Sequence, residues 1–183
     1  MNILKIELTQ TFFLLHCIIN MSKIHRLISI QQIPVSLDKT WQFFSDPKNL
    51  MSITPPFLNL VITNEVFGEE VYPGQIMTYK VKPLLGIGME WMTEITHVEK
   101  QKMFVDEQRK GPYKLWHHQH HFKLRNGNTE MIDIVHYRLP FSFLGEMMHP
   151  VVTKKLLEIF SYRFGKVIEL FGDAGERMNV RID

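Results

Sequence analysis

Cysteine is nearly missing from this sequence: Cys17 is the only one in 183 residues. An intramolecular disulfide is therefore excluded, and so is any zinc site built on paired cysteines. Such a chain is compatible with a reducing compartment, and a cytoplasmic protein is expected. A strong charge of either sign is missing too. The 21 basic and 19 acidic residues leave a formal charge of +2, and the basic ones are scattered. With no basic run and no aromatic-plus-basic sheet motif of the RNA-binding kind, no nucleic-acid partner is expected. Long apolar runs are also lacking. TFFLLHCII at 11–19 falls well short of the roughly 20 residues that a membrane-spanning helix needs, so no stable membrane insertion is expected. It has the length of a signal-peptide core, but His16 interrupts it, Glu7 weakens the basic flank and no A-x-A-like cleavage site follows. Met21 is read as the start of the domain. Residues 1–20 are then an extension, either from an upstream start or as an appended helix.

What remains is 45% apolar and 22% charged, the balance of a globular chain. No repeat, linker or low-complexity tract divides residues 21–183, which are read as one domain. IHRLISIQQI (24–33) has strand character and stops at Pro34, which cannot donate to a ladder. In SLDKTWQFFSDP, Ser36 can cap a helix whose Leu37, Trp41 and Phe44 recur at helical spacing. NLMSITPP predicts a second short helix closed by Pro55 and Pro56. The pattern then turns to strands at 58–65, 74–82, 88–99, 102–110, 113–125 and 129–139, with turns at YPG, LLG, EKQK, GP and NGN. NGN after Arg125 is the strongest hairpin signal among them. A long helix is predicted from Pro150, suited to a first turn, to Phe171, with Gly172 as its left-handed stop. Its apolar stripe is Val152, Leu156, Ile159, Phe160, Val167 and Phe171. At 1.5 Å per residue it is about 33 Å long, enough to cross a sheet. The expected fold is α+β: a seven-stranded curved antiparallel sheet wrapped around the C-terminal helix, with two short helices after the first strand.

KLWHHQHHFKL (114–124) holds four histidines in five positions. Side chains alternate across a strand, so Trp116, His118, His120 and Phe122 share one face while Leu115, His117, Gln119 and His121 share the other. The aromatic face is read as the interior, and His117 and His121 as surface residues. The same alternation in neighbouring strands gathers Trp91, Thr93, Asp106, Gln108, Asp133 and Tyr137 onto the same hollow. Buried polar groups without partners cost about 1–3 kcal/mol each, so these must pair with one another or with a ligand. Asp133 is expected to accept a hydrogen bond from His118 or His120.

The strings FFSDPKNLMSITPP, GMEWMTEI, FVDEQRKGPYKLWHHQHHF, TEMIDIVHYRLPFSFLG and LLEIFSYR together resemble the SRPBCC superfamily. These are the START-like, helix-grip proteins related to the birch-pollen allergen and to polyketide cyclases. The likeness is greatest to the small bacterial branch often labelled cell-division-inhibitor-like, and it covers residues 24 to about 166. Residues 1–20 have no counterpart in it. The resemblance implies a cavity between sheet and long helix that takes apolar molecules. The branch string D-x-Q-x-x-G-P-Y-x-x-W-x-H-x-H-x-F falls on Asp106, Gln108, Gly111, Pro112, Tyr113, Trp116, His118, His120 and Phe122, followed by Asp133 and Tyr137.

Three chemistries compete for the histidines. A strand H-x-H places two imidazoles on one face about 7 Å apart, as several zinc and iron sites do, with Asp133 or Asp106 as a third ligand. Against it, no glutamate and distant histidine follow in the cupin manner, and there is no H-E-x-x-H. A general base oriented by Asp133 would suit cyclase or dehydratase chemistry on an enolisable carbonyl. The bland reading is a satisfied polar network beside a bound ligand. The sequence is read as a binding protein for an apolar or aromatic small molecule, with Trp91, Asp106, Gln108, Trp116, His118, His120, Asp133 and Tyr137 as ligand-binding residues. No catalytic residue is assigned, and no metal or other cofactor is expected. Met89, Met92, Met147 and Met148 are read as deformable packing, and PFSFLG (140–145) as a loop exposing two aromatics over the cavity.

Overall fold

The computed structural model of the chain describes residues 23–64, 70–83 and 86–183. The extension at 1–20, the end of the expected strand at Glu65 and most of the LLG turn lie outside the described residues. The strands are β1 (His25–Ile33), β2 (Val61–Ile62), β3 (Ile76–Val81), β4 (Met89–Glu99), β5 (Met103–Lys110), β6 (Leu115–Arg125), β7 (Asn128–Arg138) and β8 (Asn179–Ile182). The helices are α1 (Leu37–Ser45) and α2 (Ser142–Phe171), with 3₁₀ turns at Pro47–Ile53 and Pro56–Leu58 between α1 and β2. All strands pair antiparallel in the order β2-β3-β4-β5-β6-β7-β1-β8.

Local chemistry sets most of these boundaries. The Ser36 side chain accepts from the Lys39 amide at 3.3 Å, and Asp38 sits in the first turn of α1, where the helix dipole favours an acid. Asn126 and Gly127 both have positive φ (52° and 83°), as a tight hairpin turn requires, and Arg125 pairs with Asn128 across it. Gly172 (φ 97°) stops α2, its amide donating to the Ile168 carbonyl at 2.8 Å.

Three boundaries differ from the sequence reading. The sheet has eight strands, because Asn179–Ile182 pairs with Leu27–Ile30 of β1; four residues after a glycine-rich bend carry too little periodicity to be read as a strand. The expected strand at 58–65 is only two paired residues, its first residues being drawn into the 3₁₀ turn that follows Pro55. Helix α2 begins at Ser142 and Pro150 lies inside it, so the PFSFLG segment is mostly the helix's first turn. The missing Pro150 N–H removes one helix hydrogen bond.

The apolar stripe of α2 is buried through Val152, Leu156, Phe160 and Val167. Two core clusters result. One, under α1, is centred on Trp41, which is 1% exposed and packs edge-on against Phe104 and Phe122. The other joins Leu27, Trp116, Val135 and Tyr137 to Val152, Leu156 and Phe160 of α2. A register irregularity between β4 and β5 at Ile95/His97 shifts the alternation, so that Ile95 and then Val98 pack inward.

Candidate functional site

Between the inner face of β3–β6 and helix α2 lies a cavity of about 460 Å³, closed at one end by α1 and the 3₁₀ turns. Phe141, Leu144 and Met148 stand at its rim and are largely exposed. Its wall is predominantly apolar, and a polar patch lies where the neighbouring strands β5 and β6 contribute Asp106, His118 and His120.

That patch follows from register. Asp106 of β5 pairs with His118 of β6, Phe104 pairs with His120, and His120 pairs in turn with Asp133 of β7. The two histidine rings lie 3.8 Å apart between centroids, and Phe104 stacks on His120 at 4.2 Å. Each ring is held between two carboxylates. The His118 Nε2–H donates to Asp133 Oδ1 at 3.0 Å, while its Nδ1 faces Asp106 Oδ2 at the longer distance of 3.4 Å. The His120 Nε2–H donates to Asp106 Oδ2 at 3.0 Å. His120 Nδ1 lies 2.8 Å from Asp133 Oδ1 but off the hydrogen-bonding axis, so that contact is ionic without being an aligned bond.

The four groups are buried together, and their protonation follows from their neighbours. Burial pulls the His118 pKa down and the adjacent His120 adds to this, against the pull of Asp106 and Asp133; the net direction is down. Burial also opposes charge on His120, but its hydrogen bond to Asp106 and its close ionic contact with Asp133 outweigh it and the net direction is up. Both carboxyls are desolvated, which alone would raise them; the imidazoles more than offset this, and Asp106 and Asp133 are held below the usual carboxylate range. The two imidazoles, shifted in opposite directions, sit between two carboxylates, with Arg163 of α2 near enough to stabilise Asp106. These groups titrate as a unit.

Five of the expected site residues, Trp91, Asp106, Trp116, His118 and His120, line the cavity. Gln108, Asp133 and Tyr137 do not. Asp133 is 4% exposed and lies behind the histidines, which cover it from the cavity. Tyr137 is completely buried, and its hydroxyl bonds His149 Nε2 at 3.1 Å. Gln108 folds back on its own hairpin: its Nε2 donates to the Tyr113 carbonyl at 2.6 Å and its Oε1 accepts from the Tyr113 amide at 3.3 Å. A Cβ at Gly111 would sit 2.4 Å from that Oε1, which explains the glycine in the D-x-Q-x-x-G string. Alternation assigns a face; it does not say whether a residue on that face is the surface layer or hidden beneath larger neighbours.

Tyr113, Phe44, Phe160 and Arg163 also line the cavity, although none of them was among the expected ligand-binding residues. Tyr113, Trp91 and Trp116 form an aromatic box, with Trp91 and Trp116 edge-on at 5.3 Å and Tyr113 4.8 Å from Trp116. Phe160 and Arg163 were legible only as one stripe and its neighbour on a helix. Two donors of lining residues, Trp91 Nε1 and Arg163 Nε, are buried with no hydrogen-bond partner among the described residues. Met148 lines the rim while Met147 is exposed. On the other sheet face, His117 and His121 are half-buried rather than freely solvated, in a ladder running Glu107, His117, Gln119, His121 with contacts of 2.8, 3.0 and 2.9 Å.

Solved structures share this architecture. Protein Ms6760 from Mycobacterium smegmatis superposes with a TM-score of 0.57 at 19% identity, over 79% of this chain and 89% of that one. The ginseng major latex-like protein 151 from Panax ginseng gives 0.59 at 14% identity, over 81% and 99%. The fold is the helix-grip fold. A nucleoside-diphosphate sugar epimerase from Corynebacterium glutamicum contains the same arrangement within a longer chain, with a TM-score of 0.55 at 22% identity, over 78% of this chain and 28% of that one. No family model matches the chain, and no curated protein does. At these identities the likeness establishes the helix grip and nothing about chemistry. No helix among the described residues is long and apolar enough to cross a membrane.

Proposed function

We propose that residues 21–183 act as one ligand-binding unit that takes an apolar or aromatic small molecule bearing an acceptor group into the helix-grip cavity. The observation that carries this is the cavity itself: about 460 Å³, with a mostly apolar wall and a few polar groups, among them the buried cluster of Asp106, His118 and His120. That volume lies in the range of about 300–1,000 Å³ typical of small-molecule sites, as does the pattern of many apolar contacts and few polar ones. Trp91 Nε1 and Arg163 Nε are buried donors without partners, and leaving such groups unpaired costs about 1–3 kcal/mol each. A carbonyl or carboxylate oxygen of a ligand would relieve that cost, while Trp91, Tyr113 and Trp116 supply aromatic contact area. The resemblance to the small bacterial SRPBCC branch supports the same reading, and the lone cysteine agrees with action in the cytoplasm.

A second reading, cyclase or dehydratase chemistry, is favoured by one observation. His118 lines the cavity and has its Nε2–H engaged by Asp133, the arrangement of a base oriented by a carboxylate, with its Nδ1 3.4 Å from Asp106 Oδ2.

Native mass spectrometry of the freshly purified protein, followed by titration with a panel of fatty acids and aromatic polyketide-like phenols, tests the binding reading. A co-purifying organic mass, or saturable one-to-one binding that Val152→Trp abolishes by filling the cavity, is expected. Binding that Val152→Trp leaves unchanged, or no binding across the panel, refutes it. The two readings part on His118→Ala, which lowers affinity modestly in a carrier but removes turnover by about 10²–10⁴-fold in an enzyme.

A further inference from the structure

We propose that Asp106, His118 and His120 form a binding site for one divalent first-row transition-metal ion, with its open coordination positions facing the cavity. The reading goes beyond ligand binding and does not depend on it, since an apolar molecule can fill the cavity whether or not a metal is present.

The sequence offered two histidines and no settled third ligand; strand register supplies it. Asp106 stands directly across from His118 on the neighbouring strand. Asp106 Oδ2, His118 and His120 each present one ligand atom, and these all lie within 4.8 Å of one another. Asp106 Oδ2 is 3.0 Å from His120 Nε2 and 3.4 Å from His118 Nδ1. A first-row ion bonded at about 2.0–2.2 Å holds neighbouring ligand atoms about 3.0 Å apart at a right angle and about 3.4 Å apart at a tetrahedral angle. Hydrogen bonds have similar lengths, and the arrangement around the three residues adds to the spacing: the His118 Nδ1–Asp106 Oδ2 contact at 3.4 Å is an ionic approach without an aligned hydrogen bond, and the ligand atoms of all three residues converge on one point from two adjacent strands.

The surroundings fit as well. Asp133 reaches the far nitrogens of both rings, His118 Nε2 at 3.0 Å and His120 Nδ1 at 2.8 Å. An outer carboxylate on the second ring nitrogen is how metal-binding histidines are commonly oriented and made more basic. Two carboxylates, Asp106 and Asp133, flanking two imidazoles make an environment that compensates a +2 ion. Two imidazoles and one carboxylate on a single side of an ion, with the remaining positions open, is a donor set that suits zinc and iron(II). All three donor residues line the cavity, so the open positions meet whatever occupies it.

The test uses the full chain, stripped with chelator and titrated with Co²⁺ by absorption and with Zn²⁺ by calorimetry. One ion per chain is expected, with Co²⁺ bands of four- or five-coordinate character. Asp106→Asn and His120→Ala are each expected to weaken binding by about 100-fold or more, and Asp133→Asn by about 10–100-fold. The His117→Ala, His121→Ala double variant on the outer face should leave stoichiometry and affinity unchanged, and circular dichroism verifies that each variant is folded. Absence of stoichiometric binding to Zn²⁺, Co²⁺ or Fe²⁺ overturns the proposal. So does binding that survives Asp106→Asn and His120→Ala, or that is lost in the outer-face variant. Organic-ligand binding measured on the stripped protein is a separate readout, so failure of the metal site and failure of the binding reading are told apart.

Discussion

Asp133→Asn is the sharpest probe of the buried histidine cluster. The substitution keeps shape and an acceptor for the His118 Nε2–H, and removes only the charge. In the structure Asp133 is 4% exposed and contacts both rings, at 3.0 Å to His118 and 2.8 Å to His120. The His118 bond becomes a neutral one, a loss of about 1 kcal/mol, and His120 loses one of its two ionic partners, a further loss of about 2 kcal/mol. The total of about 3 kcal/mol lies at the lower end of what removing one partner from a buried pair costs. For a chain of this length it corresponds to a drop in Tm of about 6–12 °C. Urea unfolding at neutral pH in the presence of chelator measures it. Asp106→Asn, at a carboxylate whose side chain is 16% exposed, should cost about half as much. A double-mutant cycle of Asp133→Asn with His118→Gln should give a coupling of at least about 1 kcal/mol, as expected for groups in one network. A loss below about 1 kcal/mol for Asp133→Asn, or strict additivity in the cycle, would refute the picture of a charge-coupled cluster.

Other consequences are independent of the cluster. Gly145→Ala sets a Cβ 2.0 Å from the Pro140 carbonyl oxygen and 3.1 Å from Leu139 Cβ. Because the clash is with backbone, the first turn of α2 must shift, and a loss of about 2 kcal/mol or more is expected in thermal unfolding; an unchanged Tm would contradict the packing described. Gly111→Ala should break the Gln108–Tyr113 clamp, seen as faster amide exchange at Tyr113 and altered fluorescence of the Trp91–Trp116 pair. Glu130 is held by Gln32, Lys123 and Arg125; burial alone would raise its pKa, but the Lys123 and Arg125 contacts outweigh that and depress it. A depressed carboxylate stabilises the fold above its unfolded pKa of about 4.3, and that contribution is lost as pH falls through the folded value. With Lys123 and Arg125 more than half exposed, the contribution is discounted to about 1 kcal/mol. The stability gap between wild type and Glu130→Gln should therefore be present at pH 7 and close below about pH 4; a gap that widens in acid would reverse the assignment.

What was legible in the sequence was local. The cap at Ser36, the Asn126–Gly127 turn and the stop at Gly172 are each set by a few adjacent residues whose backbone preferences leave little choice, and each stands where it was read. Alternation likewise put His118 and His120 on the inner face and His117 and His121 on the outer one, because a strand admits only two faces. Three things waited for the folded molecule. Asp106 came to face His118, and Asp133 to lie behind both rings, through the register of strands paired across the chain. Phe160 and Arg163 entered the cavity through the rotation of α2 over the sheet. Gln108 turned away from it, because its amide was taken by the backbone of Tyr113. A strand's faces are a property of its own period of two, whereas register and helix rotation are fixed by side chains distant in sequence, so only the tertiary structure could turn a histidine-rich string into a cluster of defined geometry.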